Sequence, residues 1–338
     1  MDPEAVVRHF GRQLPQATKS WGNCRFVFDP EARDYDWLVV YHDLSRPAGK
    51  PGLEQLACPR ARTILVTTEP STITVYGTDY LRQYGTIITS QEPWIFRHPR
   101  VVFTQPGLIW FYGFPFEEGP LRTYDDLRAT PPPVKSRLIS TVCSNRAGGL
   151  TLHSRRVSFT RKLQAALPEL EVFGHGVKPM SDKAEALDPY QYHIAVENHV
   201  YRHHLTEKLP DAFLGYTLPF YHGCPNASDY FPRESFIPID IGDFNAARDI
   251  IRSTIKNDEY LDRLPYIIEA RRRVLEDYNL FSVLERYIRA NHEQDGSETR
   301  RENNEEVIMN RQTLRIKKPL SGIRSLFEKA LVKGRHYL

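Results

Sequence analysis

Short apolar runs recur along this chain of 338 residues, roughly every 20–25 residues, and this spacing restricts the fold more than any other feature. The runs in Asp36–Asp43, Arg62–Pro70 and Gly85–Gln91 are rich in β-branched residues and are bounded by polar ones. Such runs predict buried strands. Helical patterns lie between them, in PGLEQLACPRA and TITVYGTDYLRQY. An alternation of strands and helices predicts a parallel sheet in an α/β domain.

A second series of strands and helices predicts a second α/β domain. It follows a proline-rich connector, EEGPLRTYDDLRATPPPVK, which favours an extended linker. We predict strands in RLISTVCSN, LEVFGHG, YHIAVEN, LPFYHG and SFIPID, and helices in RRVSFTRKLQAALP, EKLPDAFL and NAARDIIRSTI. A long helical region from Asp258 to Asn291 is interrupted near Pro265. We therefore expect domains at 1–135 and 136–291, followed by a polar linker and a basic tail at 292–338.

Composition argues against several classes of protein. Apolar residues make up 41% of the chain and aromatic residues 12%, which supports buried cores and argues against global disorder. A net charge of +3 is too small to indicate nucleic-acid binding. Cys24, Cys58, Cys143 and Cys224 form no C-x-x-C pair, so a zinc site or a disulfide framework is not expected. The N-terminus lacks an apolar signal sequence, and we expect a cytoplasmic protein.

The C-terminal tail is basic and amphipathic. From Arg311 to Leu338, eight Lys and Arg residues stand against one acid, Glu328. Apolar residues recur at helical spacing between Pro319 and Gly334, namely Leu320, Ile323, Leu326, Phe327, Ala330 and Leu331. This pattern is typical of a helix on an anionic membrane surface. We expect 314–335 to hold the protein on the inner face of the plasma membrane; the alternative is that the apolar stripe packs on the protein.

Polar residues follow the predicted strand YHIAVEN and precede the next helix. Glu197 and Asn198 end the strand, where ligands bind in open parallel sheets. Thr206 can cap the following helix through its hydroxyl. Pro210 requires that helix to begin near Thr206 or Glu207.

Lys208 lies in the first turn of that helix, where the helix dipole disfavours a cation. A nearby anion would offset this, and a phosphate is the simplest candidate. Glu207 would then accept hydrogen bonds from sugar hydroxyls. The alternative is an exposed first turn with an ordinary Glu–Lys pair.

An arginine cluster begins another helix after the glycine-rich turn in CSNRAGGLTLHSRRVSFTRKL. A guanidinium can bind two oxygens of a diphosphate at once. Arg156 is the favoured ligand and Arg155 the neighbouring possibility. The alternative is that Arg155, Arg156 and Arg161 only cover an exposed helix face.

These residues resemble the signature of the α-1,3/1,4-fucosyltransferase family of glycosyltransferases. The matching residues are, in order, Glu197-Asn198, Thr206-Glu207-Lys208-Leu209, Leu218-Pro219, Gly223, Ser235-Phe236-Ile237 and Asp243-Phe244. Upstream, Ser144-Asn145, Arg156 and Phe159 continue the resemblance. The chain departs from the family at Val196, where the family has Phe, and at His204, where Tyr is common. A nucleotide-sugar other than GDP-fucose is therefore an alternative donor.

The resemblance implies a GT-B fold, in which two Rossmann-like doubly wound domains face a central cleft. It also implies an inverting, metal-independent transfer of fucose from GDP-fucose to a hydroxyl of a cell-surface glycan such as lipopolysaccharide, without a resident cofactor. The residues that would bind the donor are Ser144, Asn145, Arg156, Glu197, Asn198, His204, Thr206, Glu207 and Lys208. The alternatives are a same-fold transferase for another sugar and a non-catalytic nucleotide-sugar-binding protein.

The residues of the acceptor site are assigned from a weaker resemblance to the same family. ILVTTEPSTITVYG is similar to the family's strand that ends in a glutamate, which would make Glu69 the general base. A carboxylate can take a proton from an acceptor hydroxyl if burial raises its pKa; the alternative is a cap for a helix after Pro70. Glu92, Trp94 and His98 follow the next strand and are expected to line the acceptor site, although Trp94 could equally belong to the core.

Overall fold

The computed structural model describes residues 8–45, 50–116, 119–144, 152–292 and 306–337. The strands are β1 (Ser20–Trp21), β2 (Cys24–Arg25), β3 (Leu38–Tyr41), β4 (Leu53–Gln55), β5 (Thr63–Val66), β6 (Thr86–Thr89), β7 (Val101–Phe103), β8 (Arg137–Val142), β9 (Leu170–Phe173), β10 (Tyr190–Val196), β11 (Leu218–His222), β12 (Ile237–Pro238) and β13 (Val307–Met309). From Thr78 onward the α-helices are α1 (Thr78–Leu81), α2 (Tyr124–Ala129), α3 (His153–Ala166), α4 (Lys208–Leu214), α5 (Phe244–Lys256), α6 (Glu259–Leu275), α7 (Leu280–Asn291), α8 (Arg311–Lys317) and α9 (Pro319–Tyr337).

The chain forms two compact units, and the C-terminal residues belong to the first. The first unit lies within residues 26–106 and 284–338, and the second within 7–25 and 107–283. This division differs from the expected segments 1–135, 136–291 and 292–338. The difference arises because strand β13, beyond the expected linker, pairs with β4 in the first unit. Most of that linker, residues 293–305, lies outside the described residues.

The first unit is built on a parallel sheet in the order β3-β5-β6-β7. Its first three strands lie in the segments predicted from the sequence. Every residue of β5 and β6 is buried, because their Ile, Leu, Val and Thr side chains face covered surfaces on both sides. The carboxyl ends of β5 and β6 are adjacent, since these strands pair in register.

The segment PGLEQLACPRA is not helical, which corrects the sequence prediction. It contains strand β4, which pairs antiparallel with β13, and a single 3-10 turn at Arg60–Arg62. Leu53 lies opposite Met309. The partner strand is about 250 residues away, so no local pattern indicates the pairing.

Helices α8 and α9 complete the first unit. The side chain of Asn310 caps α8 by accepting a hydrogen bond from the Thr313 amide. Helix α9 begins at Pro319, includes the apolar residues that recur at helical spacing in the sequence, and continues through Gly334 to Tyr337. Contacts made by Arg335 and His336 hold the last turn in place, which offsets the low helix propensity of glycine. Within the described residues, no helix combines the length and the hydropathy that crossing a membrane requires.

The second unit is built on a parallel sheet in the order β12-β11-β10-β8-β9. The direction of progression reverses between β8 and β10, so this sheet is doubly wound, and such reversal points are where open sheets bind ligands. The core includes Tyr192, Phe213 and Phe220, each almost completely buried. The α/β class with two parallel sheets is therefore confirmed.

Helix α6 passes through Pro265, which corrects the predicted interruption there. Pro265 removes the hydrogen bond to the carbonyl of Leu261. The side chain of Leu261 is 64% exposed, so this carbonyl lies on the solvent side, where water can replace the lost donor. The helix instead ends at Leu275, and α7 begins at Leu280.

Candidate functional site

Residues from three predicted motifs meet at the carboxyl edge of the second sheet. Ser144 follows β8 and Glu197 follows β10, the two strands that flank the reversal point. Arg156 lies in the first turn of α3 and contacts Asn198. Asn145 lies outside the described residues. We call the assembly of Arg156, Glu197, Asn198, Thr206, Glu207 and Lys208 the Arg156 cluster.

Glu197 is the buried centre of this cluster. Its side chain has no exposed surface, and both carboxylate oxygens are engaged. Oε1 accepts a hydrogen bond from the Thr206 amide at 3.0 Å, and Oε2 accepts one from the Thr206 hydroxyl at 2.6 Å. Lys208 Nζ lies 3.2 Å from Oε2. Glu197 thus ties the end of β10 to the segment that precedes α4.

Thr206 does not cap helix α4, which corrects the sequence prediction. The N-cap residue is Glu207, whose side chain makes no capping hydrogen bond. The Thr206 hydroxyl donates to Glu197 instead. A buried carboxylate without donors is costlier than an uncapped, half-buried helix end, so the hydroxyl is used where the charge is buried.

Gly223 explains how Glu197 fits at the sheet edge. A Cβ atom at position 223 would lie 2.4 Å from Glu197 Cγ and 2.4 Å from the Tyr221 hydroxyl. Only glycine allows these groups to approach so closely. The glycine of the motif therefore supports the buried carboxylate rather than a ligand directly.

The charge on Lys208 is offset by protein carboxylates, which corrects the expectation that an external anion is required. Lys208 Nζ lies 3.2 Å from oxygens of both Glu197 and Glu207. Burial alone would lower the pKa of Lys208, but the two carboxylates outweigh it and raise that pKa. Lys208 is thus held fully protonated and fixed in position.

Lys183 extends this network and was missed in the sequence. Its ammonium lies 3.4 Å from Glu207 Oε1 and 2.8 Å from Asp211 Oδ2. Burial would raise the pKa of Glu207, but Lys208 and then Lys183 lower it below its ordinary value. Asp211 also accepts hydrogen bonds from the amides of Phe111 and Tyr112. One local signal in the sequence could have located Lys183 at the start of a helical turn, because Asp182 and Glu185 form a capping box around it.

Arg156 is the cation of the cluster that lacks a carboxylate partner among the described residues. Its side chain is 8% exposed. One terminal nitrogen donates to Asn198 Oδ1 at 2.8 Å, and the other lies 3.2 Å from His153 Nδ1. The buried Nε has no hydrogen-bond partner in the part of the chain that the structure describes. Burial and then Arg156 lower the pKa of His153, so its neutral ring accepts from the guanidinium.

The structure separates Arg156 from its neighbours. Arg155 and Arg161 lie on the exposed face of α3, whereas Arg156 shares a buried face with Phe159 and Leu163. Spacings of three and seven residues put these side chains on one stripe. Arg156 is thus a buried, positively charged donor group that no carboxylate of the described residues contacts, at the edge where parallel sheets bind ligands. Such a group is suited to an anion with several oxygens.

Other residues of the motif are structural or buried. His204 is 1% exposed and its ring packs edge-on against His199 at 5.4 Å. Asp243 caps α5 by accepting a hydrogen bond from the Ala246 amide at 3.0 Å. Ser235 is fully buried and donates to the carbonyl of Pro232. Part of the motif therefore specifies the fold around the site.

A second set of predicted residues gathers at the carboxyl edge of the first sheet. Glu69 follows β5 and is half-buried. The side chain of Gln91, which follows β6, donates to the backbone carbonyls of Glu69 and Thr74 at 2.7 and 2.9 Å. Gln91 therefore ties the two loops together, a role that was missed in the sequence. The alternative role for Glu69 fails, because turns rather than a helix follow Pro70 and the next helix begins at Thr78.

The last turn of α9 joins this second set. His336 Nε2 lies 2.7 Å from the Ser71 hydroxyl and 3.7 Å from Glu92 Oε1. The Arg335 guanidinium lies over the Trp94 ring at 4.4 Å, and Trp94 is partly exposed rather than part of the core. We call Glu69, Ser71, Gln91, Glu92, Trp94, Arg335 and His336 the Glu69 cluster.

His98 holds its own loop. Its Nε2 lies 2.9 Å from the carbonyl oxygen of Tyr84, and its Nδ1 accepts a hydrogen bond from the Arg100 amide at 3.1 Å. Both nitrogens are therefore occupied by backbone groups, and the ring fixes the chain between β6 and β7. His98 is a supporting residue in this structure rather than one of the Glu69 cluster.

Comparisons with known proteins agree with the resemblance seen in the sequence. Residues 132–261 match the family model described as Glycosyltransferase family 10 (fucosyltransferase) C-term. An α-(1,3)-fucosyltransferase FucT of Helicobacter pylori is 36% identical over 94 residues, which are 27% of this chain and 19% of that protein. The 3-galactosyl-N-acetylglucosaminide 4-α-L-fucosyltransferase FUT3 of Pan troglodytes is 32% identical over 124 residues, 35% of this chain and 31% of that protein. The match thus spans about a fifth to a third of these relatives.

The structural comparison is broader but more distant. A crystal structure of an α1,3-fucosyltransferase with GDP-fucose aligns over 72% of this chain and 80% of that one, at 17% identity and a TM-score of 0.42. The structure of TarM aligns over 68% of this chain and 54% of that one, at 10% identity and a TM-score of 0.43. The family resemblance itself is confirmed by the family model and by the curated fucosyltransferases.

Proposed function

We propose that this chain transfers fucose from GDP-fucose to a hydroxyl of a cell-surface glycan such as lipopolysaccharide, with inversion at the anomeric carbon. The proposal rests on one observation: Arg156 is a buried guanidinium that has no carboxylate partner, and no partner for its Nε, among the residues that the structure describes. It lies where the doubly wound sheet reverses direction. The diphosphate of a nucleotide-sugar supplies the charge and the paired oxygens that this group lacks.

The remaining residues of the Arg156 cluster have two roles in this proposal. Lys208 is held protonated by Glu197 and Glu207, and it offsets charge that develops on the departing diphosphate. Asn198 orients the Arg156 guanidinium through its side-chain oxygen. Because these groups are fixed before the ligand binds, little reorganisation is needed when the bond to the sugar breaks.

Glu69 is the proposed general base. It follows strand β5 and its backbone is held by Gln91, so the carboxylate has a defined starting position. Inversion requires one base that removes the proton of the acceptor hydroxyl while this oxygen attacks the anomeric carbon. Trp94 presents a partly exposed ring in the same cluster and would stack on the acceptor sugar. No divalent ion is assigned a role.

A second candidate is a transferase of the same fold that uses another nucleotide-sugar. It is favoured by the two departures from the family motif, Val196 and His204, both of which are buried beside the Arg156 cluster. A third is a protein that binds a nucleotide-sugar without catalysing transfer. Turnover of labelled donor distinguishes the third candidate from the other two.

The test measures donor choice and transfer separately. Calorimetric titration with GDP, UDP and CMP, and with their sugars, identifies the nucleotide. Labelled donor and lipid-linked oligosaccharide acceptors then report transfer, and proton NMR reports the anomeric configuration of the product. We expect GDP-fucose to bind most tightly and the product to have the inverted configuration. Binding of UDP-sugars alone would favour the second candidate.

Replacing Glu69 with Gln tests the base. The amide keeps the shape but cannot accept the proton, so we expect transfer to fall about 10²–10⁴-fold while GDP affinity stays within twofold. Glu54→Gln, a partly buried glutamate on β4, is the control and should leave transfer unchanged. Unchanged transfer by Glu69→Gln would refute the assignment. Transfer in the presence of EDTA checks the expectation that no metal is required.

A further inference from the structure

Helix α9 presents its large apolar side chains to the outside of the first unit. Five of them are between 63% and 81% exposed: Leu320, Ile323, Leu326, Phe327 and Leu331. At about 100° per residue, they fall within an arc of about 140° on the helix. We call these five residues the α9 stripe. A helix on the surface of a globular domain normally packs such a stripe against the core. Helix α9 has the opposite orientation, because its apolar stripe faces solvent.

Polar contacts on the opposite face fix the orientation. The Thr78 amide donates to Glu328 at 2.9 Å, and Arg324 pairs with Asp79 at 2.7 Å. Ser325 and Val332 are buried against the unit. Helix α9 therefore attaches to the first unit through mainly polar groups, and the α9 stripe points away from it.

Unpaired positive charges accompany the α9 stripe. Lys317, Lys318, Lys329 and Lys333 are exposed, and none of them pairs with an acidic group in the part of the chain that the structure describes. The single acid of the helix, Glu328, is turned inward toward Thr78. The outer surface of α8 and α9 is thus apolar along its centre and basic at its margins.

We propose that α9 lies flat on an anionic lipid surface, with its apolar stripe at the boundary between headgroups and acyl chains. Apolar burial and attraction to anionic headgroups both favour this arrangement. A second copy of the chain is the competing occupant, since two stripes could pack together. It is disfavoured because it would bring the four lysines of each copy close to those of the other.

The last turn of α9 connects the lipid-binding surface with the acceptor site, a step that rests on the proposed function. Arg335 and His336 contact Trp94, Ser71 and Glu92 in the Glu69 cluster. A lipid surface held along α9 therefore lies beside the residues assigned to the acceptor. The acceptor class that fits is a glycan attached to a membrane lipid.

Vesicle sedimentation of the full chain tests lipid binding without any need for activity. The vesicles contain phosphatidylcholine alone or with phosphatidylglycerol, at low and at physiological salt. The stripe variant is Leu320→Ser with Phe327→Ser, and the charge variant is Lys329→Glu with Lys333→Glu. The matched controls are Leu261→Ser, at a position 64% exposed on α6, and Lys256→Glu, exposed at the end of α5.

We expect the wild type to sediment with vesicles that contain phosphatidylglycerol and to be released by salt. Partitioning should fall at least tenfold in the stripe and charge variants and stay unchanged in the controls. Because the changed residues are exposed, circular dichroism and GDP binding should be unaltered in all variants. Equal partitioning of the stripe variant and the wild type, or no partitioning at low salt, overturns the proposal. A stripe variant that only converts a dimer into a monomer assigns the surface to a second copy.

Discussion

Replacing Arg156 with Met removes the guanidinium while keeping a side chain of similar length in the same buried position. Arg156 has five N–H groups. One is directed at Asn198 and another at His153, and the buried Nε has no partner among the described residues. A bidentate contact with a diphosphate uses two of the remaining groups. The neighbouring Arg155→Met is the matched control, since Arg155 lies on the exposed face of the same helix turn.

The expected loss of GDP affinity follows from these contacts. Each charge-assisted hydrogen bond contributes about 1.5–3 kcal/mol, so two bonds correspond to about 3–6 kcal/mol. This is a loss of affinity of about 10²–10⁴-fold. Arg156→Lys keeps the charge but not the planar, bidentate arrangement of donors, and its loss of affinity should be about half as large on a logarithmic scale.

The expected effect on stability is small and distinguishes a ligand-binding role from a structural one. Removing a buried cation that no carboxylate of the described residues contacts stabilises the ligand-free protein, whereas the lost bonds to Asn198 and His153 destabilise it. These opposing terms should leave the free energy of unfolding within about 1 kcal/mol of the wild-type value.

The assay combines calorimetric titration of GDP with denaturant unfolding of the ligand-free protein. We expect Arg156→Met to lose GDP affinity at nearly constant stability and Arg155→Met to retain both. A GDP dissociation constant of Arg156→Met within threefold of that of Arg155→Met would refute the assignment. A large fall in stability with unchanged affinity would assign Arg156 to the fold instead.

Three further predictions concern the residues that support the site. Gly223→Ala should lower the free energy of unfolding by about 1–3 kcal/mol and weaken GDP binding, because its Cβ would displace Glu197; denaturant unfolding and titration measure the two effects. Asp243→Ala removes the cap of α5 and should cost about 1 kcal/mol without changing the GDP dissociation constant, and a tenfold weaker affinity would show that Asp243 has another role. Lys183→Met leaves Glu207 and Asp211 without their shared cation and should cost about 3–5 kcal/mol at pH 7. Because Lys183 helps to lower the pKa of Glu207, the stability that it provides is fully present above the ordinary pKa of 4.5. It is lost progressively as the pH falls from there toward the lowered pKa of the folded protein. A cost that stays constant from pH 7 to pH 2.5 would contradict this explanation.

Much of the site could be located from the sequence because its residues follow strands. A buried parallel strand is a local pattern of β-branched residues, and the residue after it lies at the sheet edge whatever the rest of the chain does. This reasoning places Glu197 after β10 and Glu69 after β5, as the structure has them. The buried face of α3 could also be predicted from the sequence, since Arg156, Phe159 and Leu163 share one stripe of the helix and Arg155 does not.

The errors arose where side chains from different secondary-structure elements meet. The Thr206 hydroxyl was assigned to a helix cap because α4 follows it directly, but buried Glu197, nine residues earlier, takes that hydroxyl. Lys208 was expected to need an external anion because one of its two carboxylate partners, Glu197, lies at the end of β10 and is not part of the first turn of α4. Strand β4 was predicted to be helical because its partner strand, β13, is about 250 residues away and leaves no local pattern.

The sequence by itself determined the two parallel sheets, the strand ends that carry the polar residues, and the amphipathic stripe of α9, because each depends on neighbours within a few residues. Only the tertiary structure decided which charges are neutralised and which remain available. Lys183 joins Glu207 from 24 residues away, whereas Arg156 receives an amide and an imidazole instead of a carboxylate. The physical reason is that the free energy of a buried charge depends on every group packed around it, and packing brings those groups from separate parts of the chain.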